Sequence, residues 1–153
     1  MKFLIFLMFF CLNAFANEIQ ISAKELIADE KKRLTHLKGG VEIKRLSDKL
    51  SAEEAYIFLD SNNRPTKMQA KGGVKFFFTL KDGRKIQGES QEALYFPRSK
   101  EYQILGNAVV REVEKNNVVR GDKIIIKQNE GFINVVGQEN KPAKLIFKLE
   151  DFQ

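Results

Sequence analysis

The sequence has no tryptophan, three prolines, one histidine and one cysteine among its 153 residues. Cys11 stands in the opening apolar stretch, and bulky Phe9 and Phe10 before it do not suit a lipidation site. With only His36 available, a histidine metal cluster is excluded. No Gly-x-Ser-x-Gly elbow and no glycine-rich phosphate loop occurs. Ser51 and Ser90 have no base beside them, and Asp and Glu are scattered among Lys and Arg, as on a charged surface. An exported hydrolase would need a carboxylate pair brought together by folding, which no motif announces. The chain is therefore expected to be no enzyme and to need neither cofactor nor metal.

Long apolar runs are missing too. The run from Phe3 to Leu12 follows the cationic Lys2 and precedes Ala14-Phe15-Ala16. Ten helical residues span about 15 Å, half of the roughly 30 Å hydrocarbon core of a bilayer. Short apolar run, basic start and small-x-small ending are the plan of a secretory signal peptide. Residues 1–16 are expected to be that signal, cleaved between Ala16 and Asn17, leaving 17–153 as a single domain. Cleavage would remove the only cysteine, so stability must come from burial and strand pairing. It would also lower the Lys and Arg total from 26 to 25 against 20 Asp and Glu. A moderately basic exported chain suits anionic partners such as phosphorylated headgroups, and no nucleic acid is expected.

What the chain does have is an internal repeat. Gly39-Gly40-Val41-Glu42-Ile43, Gly72-Gly73-Val74-Lys75-Phe76 and Gly106-Asn107-Ala108-Val109-Val110 stand 33 and 34 residues apart, and a degraded copy follows at Gly137. A second element precedes each landmark: Ile21-Ser22-Ala23-Lys24, Leu50-Ser51-Ala52-Glu53, Ile86-Gln87-Gly88-Glu89 and Val119-Arg120-Gly121-Asp122. In the third copy the next small apolar residue, Ala93, comes five positions after Gly88, which suggests a two-residue insertion or bulge.

Apolar residues alternate in constant phase with the landmark glycine. Two before it stand Leu37, Ala70, Ile104 and Val135; two after it, Val41, Val74 and Ala108; four after it, Ile43, Phe76 and Val110. The opposite parity carries Lys38, Glu42, Lys44, Lys71, Lys75 and Arg111. Period two with Val, Ile, Phe, Tyr and Thr means strands with one apolar and one polar face. Turn-forming stretches fall between them, such as Asp60 to Pro65, Lys81 to Arg84, Pro97 to Lys100, Lys115 to Asn117 and Gln128 to Gly131. The expectation is an all-β fold of about four repeats of short antiparallel strands, with glycines at bends or bulges.

The apolar wall is rich in large side chains, above all Phe76, Phe78 and Leu80. They either fill a closed core or line a slot between sheets, and periodicity leaves both readings open. The last stretch, Pro142 to Leu149, alternates again, with Lys144 and Lys148 as possible guards of an edge strand. End-to-end assembly through this edge and a strand near Ile19 to Ile21 is a second expectation.

Leu50-Ser51-Ala52-Glu53-Glu54-Ala55-Tyr56 through Gly72-Gly73-Val74, together with Gly106-Asn107-Ala108-Val109 and Val119-Arg120-Gly121-Asp122, resembles the OstA-like repeat family of lipopolysaccharide transport. The resemblance runs from about Ile19 to Gly137; it departs in having Gly-Gly for Gly-Asn in two copies and Gly137-Gln138 in the fourth. It implies an OstA-like twisted β-jellyroll in the periplasm whose apolar groove holds the acyl chains of lipopolysaccharide. It also implies a head-to-tail bridge between an anchored inner-membrane subunit and the outer-membrane translocon. The residues assigned to the groove are Leu37, Val41, Ile43, Ala55, Ile57, Ala70, Val74, Phe76, Phe78, Tyr95, Ile104, Val110, Ile124, Ile126 and Val135. The competing reading is a docking or adaptor module of the same family with a closed core and no lipid groove.

Overall fold

The computed structural model describes residues 19–80 and 82–147. The expected signal peptide, its cleavage point at Ala16 and Asn17, and Lys148 lie outside the described residues. Among those described there are ten strands and no helix: β1 Ile19–Ser22, β2 Glu25–Asp29, β3 Leu34–Arg45, β4 Asp48–Leu59, β5 Pro65–Thr79, β6 Lys85–Phe96, β7 Glu101–Glu112, β8 Asn117–Lys127, β9 Phe132–Val136 and β10 Lys144–Ile146.

All pair antiparallel in one sheet of order β1-β3-β4-β5-β6-β7-β8-β10. β2 lies beside the other half of β3, and β9 beside the other half of β8, so each edge is one interrupted strand. The expected all-β fold is what forms. The six central strands run 11 to 15 residues because the glycine landmarks lie inside strands without ending them.

Each of the first three landmarks is a bulge, whereas Gly137 follows the end of β9. The register slips between Lys38 and Val41 on β3, between Lys71 and Val74 on β5, and between Leu105 and Ala108 on β7, always with the extra residue on the glycine strand. The paired residues there have left-handed backbone: φ is 79° and 54° at Gly39 and Gly40, 84° and 55° at Gly72 and Gly73, and 80° and 47° at Gly106 and Asn107. L-residues other than Asn rarely adopt this region, which is why Gly-Gly and Gly-Asn recur. The first glycine is also covered. A side chain at Gly39 would collide with Lys24, in the bend between β1 and β2, and one at Gly72 or Gly106 with Glu53 or Gln91 on the neighbouring strand.

The bulges line up across the sheet and divide it in two, and the sheet folds over along that line. Tyr102 is level with Tyr95 and Met68, ten residues from Phe78 along β5. On a straight strand that is roughly 33 Å at about 3.3 Å per residue, yet the Phe78 and Tyr102 ring centroids are 5.2 Å apart. Bulges bend and twist the strand that carries them, which accounts for the fold-over. The Phe76 half of the sheet therefore faces the Ile104 half, with the apolar faces inside, as in a jellyroll.

The third copy carries no insertion. Gly88, Ser90 and Ala93 occupy the positions that Leu50, Ala52 and Ala55 occupy on β4, because Phe76 pairs with both Leu50 and Gly88, and Ala70 with both Ala55 and Ala93. The sequence comparison had aligned Gly88 with Ala52, two residues out of phase. Gly88 lacks a side chain because the Phe76 ring lies over it.

Candidate functional site

The interior between the two half-sheets is the candidate site. In the Ile104 half, the row Leu37, Ala55, Ala70, Ala93, Ile104, Ile124, Val135 crosses seven strands without a polar residue. Facing it, the row Ile21, Ile43, Leu50, Phe76, Gly88, Val110, Val119, Leu145 crosses eight. Of the residues assigned to the wall from sequence, Leu37, Val41, Ala55, Ile57, Ala70, Val74, Phe76, Ile104, Val110 and Ile124 are buried. Ile43, Phe78, Tyr95, Ile126 and Val135 are half-buried. The structure thus gathers them on one face, all but Tyr95 in two clusters, with Tyr95 stacked on Tyr102.

Sequence reasoning missed buried Ala52 and Ile86 and the aromatic Tyr102. Tyr102 shares parity with Ile104, so alternation along β7 would have found it. Ala108, expected on the apolar wall two residues after Gly106 but not assigned to the groove, is buried too. Ile86 opens its repeat, and no further signal in the sequence marks it as core. Ser90 is the one buried polar residue of the inner face among those described, and its hydroxyl donates to the Glu92 carbonyl at 2.9 Å. A buried hydroxyl with its own acceptor is satisfied where it stands.

An aromatic chain crosses the interior. Phe76 stacks on Phe78 at 5.0 Å, Phe78 meets Tyr102 at 5.2 Å, and Tyr102 stacks on Tyr95 at 4.5 Å. Burial pushes the Tyr102 hydroxyl well above the usual phenol range, with Tyr95 and Asp48 adding to the shift and Arg45 opposing it. Arg45 ends β3 and Asp48 opens β4, so Tyr102, from the other half of the sheet, lies near the β3–β4 turn.

At the two edges the inner-face side chains are more exposed than at the centre. Leu26, Ile133 and Leu145, inner-face residues of β2, β9 and β10, are 47%, 52% and 63% exposed, whereas Val74 and Ile104 at the centre are 0% and 2% exposed. Ile27, Phe132, Val136 and Ile146 are exposed on the same strands. Among the described residues β1/β2 and β9/β10 each leave one side unpaired and do not pair with one another. Exposed apolar edge strands are uncommon in chains that stay monomeric.

On the outer face His36 stacks on Tyr56 at 4.2 Å and its Nε2 lies 2.9 Å from Glu54 Oε2. The His36 contact, supported by Tyr56 and Lys71, holds the Glu54 carboxyl below its ordinary value. Among the described residues no group of three or more His, Cys, Asp and Glu could hold a metal.

No curated protein matches the chain at a significant level. Among solved structures, LptH of Pseudomonas aeruginosa, described as the LptA-homologous periplasmic component of the lipopolysaccharide transport device, matches with a TM-score of 0.74. The match covers 86% of this chain and 95% of that one at 16% identity, and at that identity it speaks to the fold alone. Residues 20–132 match the profile described as LptA/(LptD N-terminal domain) LPS transport protein. The bulged repeats, the folded-over sheet and that match over most of its length place this chain in the LptA/LptD N-terminal family of lipopolysaccharide transport proteins.

Proposed function

We propose that the chain is exported by residues 1–16, cleaved between Ala16 and Asn17, and works in the periplasm as a carrier that holds the acyl chains of lipopolysaccharide between its half-sheets. The observation that carries this reading is the pair of wholly apolar inner rows that cross the sheet and emerge into solvent at both edges, at Leu26 and at Leu145. Such a passage suits a ligand many methylenes long, since each buried CH₂ contributes about 0.8 kcal/mol and an acyl chain cannot cross water exposed. Apolar exposure at both edges suits copies stacked head to tail, the β9/β10 edge of one against the β1/β2 edge of the next. The terminal copies would meet an anchored inner-membrane subunit and an outer-membrane translocon. No step is chemical; the protein holds and hands on.

For a lipid to enter, the Phe78–Tyr102 contact must part. That contact is also the observation favouring the second reading, a docking module whose interior stays closed on its own side chains. A photo-crosslinking residue at Phe76 and, separately, at Lys75 tests the choice, because the two point to opposite faces. Lipopolysaccharide adducts in cells at 76 and not at 75 support the carrier. No adduct at 76, 78 or 110 in folded protein would leave only the docking module.

A further inference from the structure

The outer faces of the two half-sheets differ in a way that stability does not explain. Behind the Ile104 half, Glu25, Lys38, Glu54, Lys71 and Glu92 stand directly opposite one another on five successive strands, with charge alternating at every step. That is how a solvated sheet face lowers its energy. Behind the Phe76 half the pattern is broken: Lys75 stands opposite Glu89, but Lys44 stands opposite Lys49 and Arg120 opposite Lys144. Like charges directly across a ladder are destabilising.

Glu42 serves both Lys44 and Lys49, at 3.5 Å and 2.8 Å. Lys75, Arg111, Arg120 and Lys144 form no salt bridge among the described residues. Three of the cations converge. A concavity of about 380 Å³ in this outer face is lined by Lys49, Lys75 and Arg111 around Phe77, with Glu89 its sole carboxylate and Ser51 and Gln87 as further polar groups. Phe77 points outward, away from the core that Phe76 and Phe78 fill, and is half-buried there.

Cations around an aromatic ring, Lys75 and Arg111 without a salt bridge among the described residues and Lys49 bridged to Glu42, are the two halves of one recognition chemistry: guanidinium and ammonium groups for a phosphate, a ring face for the apolar side of a sugar. We propose that this outer concavity is a second binding site, separate from the interior, that takes a phosphorylated saccharide, with Lys49, Lys75 and Arg111 on the phosphate and Phe77 under the sugar. Free sugar phosphates and the phosphorylated sugar headgroup of a lipid share this chemistry. The site stands on the surface charge and shape alone, whatever fills the interior.

The test is an amide NMR titration of the full chain, expressed with its leader and purified, with glucosamine 1-phosphate, glucosamine and inorganic phosphate as separate probes. Anionic vesicles of phosphatidylglycerol and phosphatidylcholine form a further arm. The expected result is shifts centred on Phe77, Gln87 and Glu89 with the sugar phosphate, and weaker ones with either component. K75E/R111E should weaken binding by more than about tenfold, as the loss of two charged hydrogen bonds requires. F77A should remove the preference for sugar phosphate over phosphate. K31E/K32E, the same charge change in the exposed β2–β3 turn, should leave binding intact. Equal weakening by both double variants would reduce the effect to net charge and overturn the site. So would equal binding of inorganic phosphate, or vesicle binding without sugar-phosphate binding, which would make this face a membrane-docking surface. Unchanged lipid crosslinking at residue 76 in K75E/R111E separates this outcome from failure of the interior reading. A lipid with a phosphorylated glucosamine headgroup, as the last probe, should shift the same residues if the ligand is a headgroup and leave them unmoved if it is a free sugar phosphate; either result upholds the site.

Discussion

Gly72→Ala and Gly73→Asn alter neighbouring residues of one bulge and should differ sharply in cost. At Gly72 φ is 84°, beyond the pocket that L-residues enter, and a Cβ would lie 2.8 Å from the Glu53 Cβ, an atom fixed by its own strand. The left-handed backbone costs about 1–2 kcal/mol and the overpacking about 1–3 kcal/mol. Together they predict a loss of about 3 kcal/mol. At Gly73 φ is 55° and a Cβ would meet nothing within 4 Å; the third repeat already places Asn107 there, with φ 47°. Asn at 73 should cost less than about 1 kcal/mol. Urea unfolding followed by circular dichroism reads both. With a slope of about 2 kcal/mol per molar urea, Gly72→Ala should lower the midpoint by about 1.5 M, and Gly73→Asn by less than about 0.5 M. Glu53→Gly added to Gly72→Ala should recover the packing share and leave the backbone share. Equal effects at 72 and 73, or a neutral Gly72→Ala, would refute the account of the bulge row.

Ile104→Ala, at a position 2% exposed, should cost about 2–5 kcal/mol in the same assay, whereas Leu145→Ala, 63% exposed, should stay within about 0.5 kcal/mol. Leu145→Lys should instead weaken concentration-dependent self-association, measured by sedimentation velocity, if β10 is a docking edge. Acid should destabilise the chain. The backbone N–H groups of Arg64 and Asn62, with Arg98, hold the Asp60 carboxyl below its ordinary 3.8, and His36 holds Glu54 below 4.5. Groups depressed on folding contribute stability above their unfolded values that is lost as pH falls through the folded ones. Asp60→Asn should therefore flatten the fall in urea midpoint below about pH 4. Absorbance titration should find Tyr102 ionising only above the usual phenol range while the chain stays folded.

Local chemistry made much of this legible from sequence. Alternation of Leu37, Val41 and Ile43, or of Val74, Phe76 and Phe78, sets the inner face because side chains on a strand can only point to one side or the other. Gly-Gly and Gly-Asn announced backbone that few residues tolerate, and bulges are what stand there. The phase of the third repeat was misjudged because Gly88 looked like the small residue of Ala52 and Gly121. Its glycine answers a different demand, the Phe76 ring across the ladder, which depends on pairing and not on its own strand.

The sequence by itself determined strands, faces, turns and repeat length, because these follow from period, propensity and backbone restriction within a few tens of residues. Tertiary structure alone decided that Phe78 meets Tyr102, that the inner rows emerge at Leu26 and Leu145, and that Lys49, Lys75 and Arg111 surround Phe77. Those contacts join residues on different strands. They are fixed by ladder register and by the fold-over at aligned bulges, and both are properties of several strands acting together.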